Sequence, residues 1–111
     1  MSSVPTRGGV VKGPDLLADH RYRPYVCLSD ELHPFADEEG LYAAVTTTPR
    51  TVAIELSPTD FVTGGLPEQR YVNPWTIVSI RHSDIQQNEG RLIDATSTTI
   101  IQSAASYLGV E

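Results

Sequence analysis

Arg23-Pro24-Tyr25-Val26-Cys27-Leu28-Ser29 is the stretch on which the fold turns. Its four consecutive apolar residues, Tyr25 to Leu28, are too few for a helix of ordinary length and read as a buried strand. Pro24 cannot donate to a ladder, so it places the start of that strand at an edge or a first position. Moving toward the N-terminus, Asp15 to Tyr22 is a polar loop holding the apolar pair Leu16 and Leu17. Before it, Val10-Val11-Lys12 reads as a short first strand stopped by Gly13-Pro14.

Toward the C-terminus, Asp30 to Gly40 is acidic and carries the loop signal His33-Pro34-Phe35. Leu41 to Thr48 resumes as a strand rich in β-branched residues. Alternation places Tyr42, Ala44, Thr46 and Thr48 on one face and Ala43, Val45 and Thr47 on the other. Pro49-Arg50 turns the chain and Thr51 to Leu56 returns, which predicts a hairpin. Ser57 to Pro67 reads as irregular, with Gly64-Gly65 as a turn. Tyr71 to Asn73 is short and extended, and Pro74 precedes a strand from Trp75 to Ile80. Asn88-Glu89-Gly90 is a turn before Arg91 to Asp94. The one helix comes last: Thr96 or Ser97 caps it, Ile100, Ile101, Ala104, Ala105 and Leu108 form an apolar stripe, and Gly109 ends it. Short strands with turns between them and one terminal helix predict a mainly β (α+β) barrel with the helix packed against it.

The 111 residues suffice for one domain, with residues 1–7 as a flexible leader and 8–111 as the folded unit. A core of this size is modest, so pairing with a second copy is an expected source of stability. No apolar run approaches the roughly 20 residues that span a bilayer, and residues 1–9 lack the apolar centre of a signal peptide. The single cysteine, Cys27, rules out an internal disulfide and reads as a buried, inert thiol, so a reducing cytoplasmic setting is expected and no membrane association. The net charge of −6, with Lys12 the only lysine, excludes broad electrostatic capture of nucleic acid and hints at a high-salt, halophilic interior. Any nucleic-acid site must therefore be local and built from arginine.

His20, His33 and His82 are scattered without metal-ligand spacing, so no metal and no cofactor are expected. No nucleophile-elbow motif accompanies the serines. Two features carry chemistry. Arg21-Tyr22-Arg23-Pro24 opens the apolar strand, where a guanidinium can face a cleft and match phosphate oxygens in a bidentate way. A surface ion pair with an acidic residue between Glu31 and Glu39 is the competing reading. Thr46-Thr47-Thr48 offers hydroxyls for a phosphate or ribose, against plain β-propensity and turn chemistry.

In order along the chain, Arg7-Gly8-Gly9-Val10-Val11, Arg23-Pro24-Tyr25-Val26-Cys27-Leu28-Ser29, Ala43-Ala44-Val45-Thr46-Thr47, Tyr71-Val72, Ile77-Val78-Ser79-Ile80 and a helix ending Tyr107-Leu108-Gly109 resemble the PemK/MazF toxin family, from about Gly8 to Leu108. The resemblance implies a small PemK/MazF-type (CcdB/PemK) β-barrel with a C-terminal helix. It implies a homodimeric, metal-independent endoribonuclease, an mRNA interferase that cuts single-stranded RNA at short sequences, leaves a 2′,3′-cyclic phosphate and a 5′-hydroxyl, and is held inactive by an antitoxin protein. Carried over by position, Arg23 and Thr46 are the catalytic residues. His20, Arg21, His33, Thr47 and Arg50, in adjacent loops or beside the catalytic strand, are expected to help bind substrate. Tyr22, Phe35 and Trp75 are candidate platforms for unpaired bases. This chain departs from the family in its loop, which reads Asp19-His20-Arg21 where many members carry a glutamate, in Arg70 where a small polar residue is common, and in its negative charge. The alternative on the same barrel is a non-catalytic binding module, as in the CcdB-type toxins that block a protein target.

Overall fold

In the computed structural model, which describes residues 4–110, the Tyr25–Leu28 run begins in the second strand of a seven-stranded antiparallel sheet. The strands are β1 (Gly9–Pro14), β2 (Tyr22–Cys27), β3 (Glu39–Thr46), β4 (Ile54–Leu56), β5 (Phe61–Gly64), β6 (Arg70–Arg81) and β7 (Gln87–Leu92), followed by helix α1 (Asp94–Tyr107). Their spatial order is β4-β6-β3-β2-β1-β7-β5, and the sheet curls into a half-barrel.

The central strands are buried on both faces, which is why β2 reads as a continuous apolar run. On one face Val10, Val26, Ala43, Val45 and Val72 pack with Ile100 and Ala104 of α1. On the other, Val11, Tyr25, Cys27, Tyr42, Ala44 and Ile80 form a second cluster. The alternation read in β3 is the alternation observed. Ile100 is fully buried, so its side chain contributes about 1.5–3 kcal/mol by removal from water. Cys27 is 2% exposed, and burial pushes its thiol pKa up.

Several local expectations give way to tertiary structure. β1 runs through Gly13 and Pro14, which pair with Arg23 and Tyr22 at the strand end. Pro24 sits inside β2 rather than at its edge: it pairs with Lys12 of β1, while the β2–β3 ladder covers only Tyr25 to Cys27. The expected hairpin between β3 and β4 does not form, because β6 inserts between them and pairs with both. β6 is one 12-residue strand, and Pro74 is absorbed by a bulge where Ala44 pairs with Asn73 but Ala43 pairs with Ile77. Residues 57–67 hold a short 3₁₀ turn, Pro58–Asp60, and β5. Asn88-Glu89-Gly90 lies within β7, where Glu89 is the extra residue of a bulge against Val10 and Val11.

Helix α1 begins at Asp94 rather than behind a Thr96 or Ser97 cap. Both residues are buried and committed elsewhere: Thr96 donates to Asp60, and the Ser97 side chain packs against Gly8. Leu108 is 71% exposed and drops out of the apolar stripe, while Gly109, at φ +85°, ends the helix as expected. Of the expected leader, residues 1–3 lie outside the described residues. Arg7 donates from Nε to the Leu28 carbonyl at 2.9 Å and pairs with Asp30 at 3.2 Å, and Arg91 donates to Thr6 at 2.9 Å.

Candidate active site

The β2–β3 ladder ends at Tyr25 and Ala44, and the same register carried onward sets Arg23 across from Thr46. Both residues belong, by alternation, to the face of Tyr25, Tyr42 and Ala44. Where the ladder stops, beside Pro24, the strands leave a groove of about 820 Å³ lined by Arg23, Thr46, Thr47, His20, Tyr22, Lys12 and Arg70 among others. A second cavity, lined by Leu56, Phe61 and residues 64–70, shares Leu66, Pro67 and Arg70 with it.

Arg23 is held by a carboxylate of the polar loop that follows β1. Its Nη1 lies 3.4 Å from Oδ1 of Asp15, with the Asp15 side chain fully buried and that of Arg23 18% exposed. The loop residues Leu17 and Ala18 each donate a backbone N–H to the same Oδ1 at 3.0 Å. Burial pushes the Asp15 carboxyl up, but those amides and the guanidinium outweigh it and hold its pKa below the ordinary value of 3.8. The competing ion pair with residues 31–39 is not made; that acidic loop lies at the far end of β2 and β3.

Tyr25 braces the same corner. Its hydroxyl donates to the Pro14 carbonyl at 2.7 Å and accepts the Leu16 N–H at 3.3 Å, and burial raises its pKa. Thr46 Oγ1 accepts the Thr48 N–H at 3.1 Å, which leaves its own proton free to donate.

Charge is segregated here. Lys12, Arg23 and Arg70, three of the eight basic residues, line this one groove, against Glu89 and the buried partner Asp15. Arg70 Nε is buried and has no hydrogen-bond partner among the described residues. Lys12 and Arg70 were not singled out as binding residues from sequence. Arg70 had drawn notice only as a departure from the family pattern, and that anomaly was the available signal.

The remaining expected residues divide. His20 and Thr47 line the groove, and Arg21 is exposed with its guanidinium 5.2 Å from the Tyr22 ring centre, so it adjoins the groove through that stack. His33 lies in the loop before β3, at the opposite end of the strand from Thr46, where its Nδ1 accepts the Phe35 N–H at 3.0 Å. Arg50 is exposed in the loop between β3 and β4 and does not line the groove. Of the three aromatic platforms only Tyr22 lines it; Phe35 is in the His33 loop, and Trp75 packs edge-on against Tyr107 of α1.

No family model matches the chain, and no curated protein sequence matches it. Solved structures do. An endoribonuclease from a mycobacterial species, solved in complex with its cognate antitoxin, is 25% identical with a TM-score of 0.78, over 96% of this chain and 97% of that one. The Mycobacterium tuberculosis toxin MazF-mt6 superposes with a TM-score of 0.68 at 18% identity, over 95% and 99% of the two chains. The MazE–MazF structure from Deinococcus radiodurans gives 0.72 at 16% identity, over 99% and 100%. At the lower identities the likeness is one of fold alone, and it extends over nearly the whole length in every case. A curled antiparallel sheet closed by one C-terminal helix, matched end to end by these toxins, gives this chain the PemK/MazF fold.

Proposed function

We propose that this chain is an endoribonuclease toxin that cleaves single-stranded RNA, working as a homodimer and silenced by an antitoxin protein. The observation that supports the proposal is a groove where the β2–β3 ladder ends, lined by both Arg23 and Thr46 together with Lys12 and Arg70. The mycobacterial endoribonuclease, similar over nearly its whole length and solved with its antitoxin, supports this reading over that of a non-catalytic binding module.

The reaction is attack of a ribose 2′-hydroxyl on the adjacent phosphorus. The bond from phosphorus to the 5′-oxygen breaks, and the products are a 2′,3′-cyclic phosphate and a 5′-hydroxyl. The 2′-oxygen loses a proton as it bonds, and the departing 5′-oxygen gains one. Negative charge accumulates on the non-bridging oxygens, where the N–H groups of Arg23 not engaged by Asp15 stabilise it. The guanidinium stays protonated throughout, so its role is electrostatic. Thr46, its oxygen already fixed by the Thr48 amide, donates its hydroxyl proton to the same phosphate. His20, Thr47 and the Arg21–Tyr22 stack flank the strand, with Tyr22 offering a face to an unpaired base.

The test is incubation of purified protein with a mixed single-stranded RNA pool in the presence of a chelator, followed by mapping of the ends. Cyclic phosphate and 5′-hydroxyl ends at a short recurrent sequence are expected. An uncut pool, or linear 3′-hydroxyl ends, sinks the proposal.

A further inference from the structure

We propose that Asp15 is a positioning residue for Arg23, acting through one hydrogen-bonded contact that ties the loop over residues 15–21 to the catalytic guanidinium. The inference rests on the RNA-cleaving reading above.

Three observations carry it. The anchor is held from several sides: the Asp15 side chain is fully buried, its N–H bonds the Arg21 carbonyl at 3.3 Å, and its neighbours Pro14 and Leu16 both bond the Tyr25 hydroxyl. The contact is single and long, 3.4 Å from Nη1 to Oδ1, so it engages one of the five donors of the fork and leaves the remaining Nη donors for a phosphate. Both polar groups of the pair have further atoms, Asp15 Oδ2 and Arg23 Nε, that are buried with no partner among the described residues. The pair is therefore not saturated by protein partners, and the single Asp15–Arg23 contact carries the coupling.

The chemistry follows from a conflict of charges. A carboxylate beside Arg23 competes with the RNA phosphate for the guanidinium, so it does not aid ground-state binding. What it supplies is direction: a long, rotamer-rich side chain fixed so that its free donors meet the phosphate as charge builds. Because Oδ1 also accepts the Leu17 and Ala18 amides, a disturbance of the loop reaches Arg23 through the same oxygen.

The experiment compares the parent with D15N, in which asparagine keeps an oxygen for the Leu17 and Ala18 amides but loses the charge that holds the guanidinium, and with D15E. Affinity is measured for a single-stranded RNA carrying the mapped cleavage site with a 2′-deoxy ribose at the attacking position. The single-turnover rate is measured with the all-ribose RNA. For D15N the cleavage rate is expected to fall about 10- to 100-fold while affinity stays within about twofold or tightens. D15E should recover part of the rate. An unchanged rate in D15N, or a loss of affinity equal to the loss of rate, overturns the positioning role. If D15N does not fold, the parent decides the question through NMR of the Arg23 side chain, where hindered rotation about Nε–Cζ is expected and free rotation overturns the proposal. A parent that leaves RNA uncut removes the RNA-cleaving reading, and this proposal falls with it. A parent that cuts, with D15N cutting as fast, removes the positioning role alone.

Discussion

The carboxylate of Asp60 accepts a hydrogen bond from the Thr96 hydroxyl at 2.7 Å, joining the turn before β5 to the first turn of α1 across 36 residues. Its other oxygen accepts the Ser57 N–H at 2.8 Å and the Ser57 hydroxyl at 3.0 Å, while its backbone carbonyl accepts the Ile93 N–H at 2.8 Å. Asp60→Ala strips three donors of their acceptor, all on residues at least partly buried, Thr96 and Ser57. We expect a loss of about 2 kcal/mol and a Tm lowered by roughly 10 °C, read by thermal unfolding at neutral pH. A Tm within two or three degrees of the parent (roughly the shift of ~0.5 kcal/mol) would remove Asp60 as the clasp of the helix.

The same carboxyl gives a pH dependence whose sign is fixed. Burial pushes its pKa up, but the bonds from Ser57 and Thr96 outweigh this and leave it below the ordinary 3.8. Its contribution to stability is therefore complete above 3.8 and is lost as pH falls through the depressed folded value. Asp60→Asn should show less acid destabilisation in that window than the parent, measured by denaturant midpoints from pH 2 to 5 (about the range over which carboxylates titrate). Parallel acid profiles for the two proteins would contradict the assignment.

Arg23→Ala should slow RNA cleavage by about 10²- to 10³-fold, the usual consequence of removing one pre-placed donor to a developing anion. Thr46→Val, which keeps the shape and deletes the hydroxyl, should slow it on the order of tenfold to a hundredfold. Circular dichroism checks that both retain the parent spectrum. Cleavage by either at the parent rate would place the chemistry elsewhere.

Gly64 lies at φ +68° in β5, and a Cβ there would sit against the Glu89 carbonyl oxygen and Gly90 of β7. Gly64→Ala combines a conformation that L side chains rarely adopt with a backbone clash that no rotamer relieves. The expected cost exceeds about 1 kcal/mol, with the β5–β7 amides losing hydrogen-exchange protection first. Equal protection in the variant would mean that the two strands separate at no cost.

RNA affinity should depend on salt with a shallow slope. With Lys12, Arg23 and Arg70 as the groove's permanent cations, log Kd against log salt should rise by about 2, at roughly 0.7 per phosphate contacted on a single strand. A slope of about 5 or more, the release expected from roughly seven phosphates, would require cations well outside the groove.

The sequence disclosed what depends on local periodicity and concealed what depends on distant partners. The Tyr25–Leu28 run and the β3 alternation were readable because burial on two faces imprints itself residue by residue. The β3–β4 hairpin was misread because sequential strands usually pair, and nothing near Pro49-Arg50 announces that β6, two strands later, will insert between them. Thr96 and Ser97 look like helix caps in isolation, and only Asp60 and Gly8 explain why they lie inside the helix. Asn88-Glu89-Gly90 has the composition of a turn, but a bulge calls for the same residue types. In the groove, the Arg21–Pro24 and Thr46–Thr48 motifs stand out by residue chemistry, and the family resemblance selects Arg23 and Thr46 within them. Asp15 and Lys12 become visible only once β1 and β2 are brought together, and Arg70 is marked in the sequence only as a departure from the family pattern.

The gathering of three cations in one groove on a chain of net charge −6 has an effect on docking that neither number conveys alone. The acid surplus repels a polyanion from the molecule as a whole, and the groove gathers three of the eight basic residues that offset it. Under the proposed function, misaligned encounters are disfavoured before contact and a strand that arrives is turned toward Arg23. The surplus of acid works as an orientation filter, trading a slower approach for fewer unproductive landings.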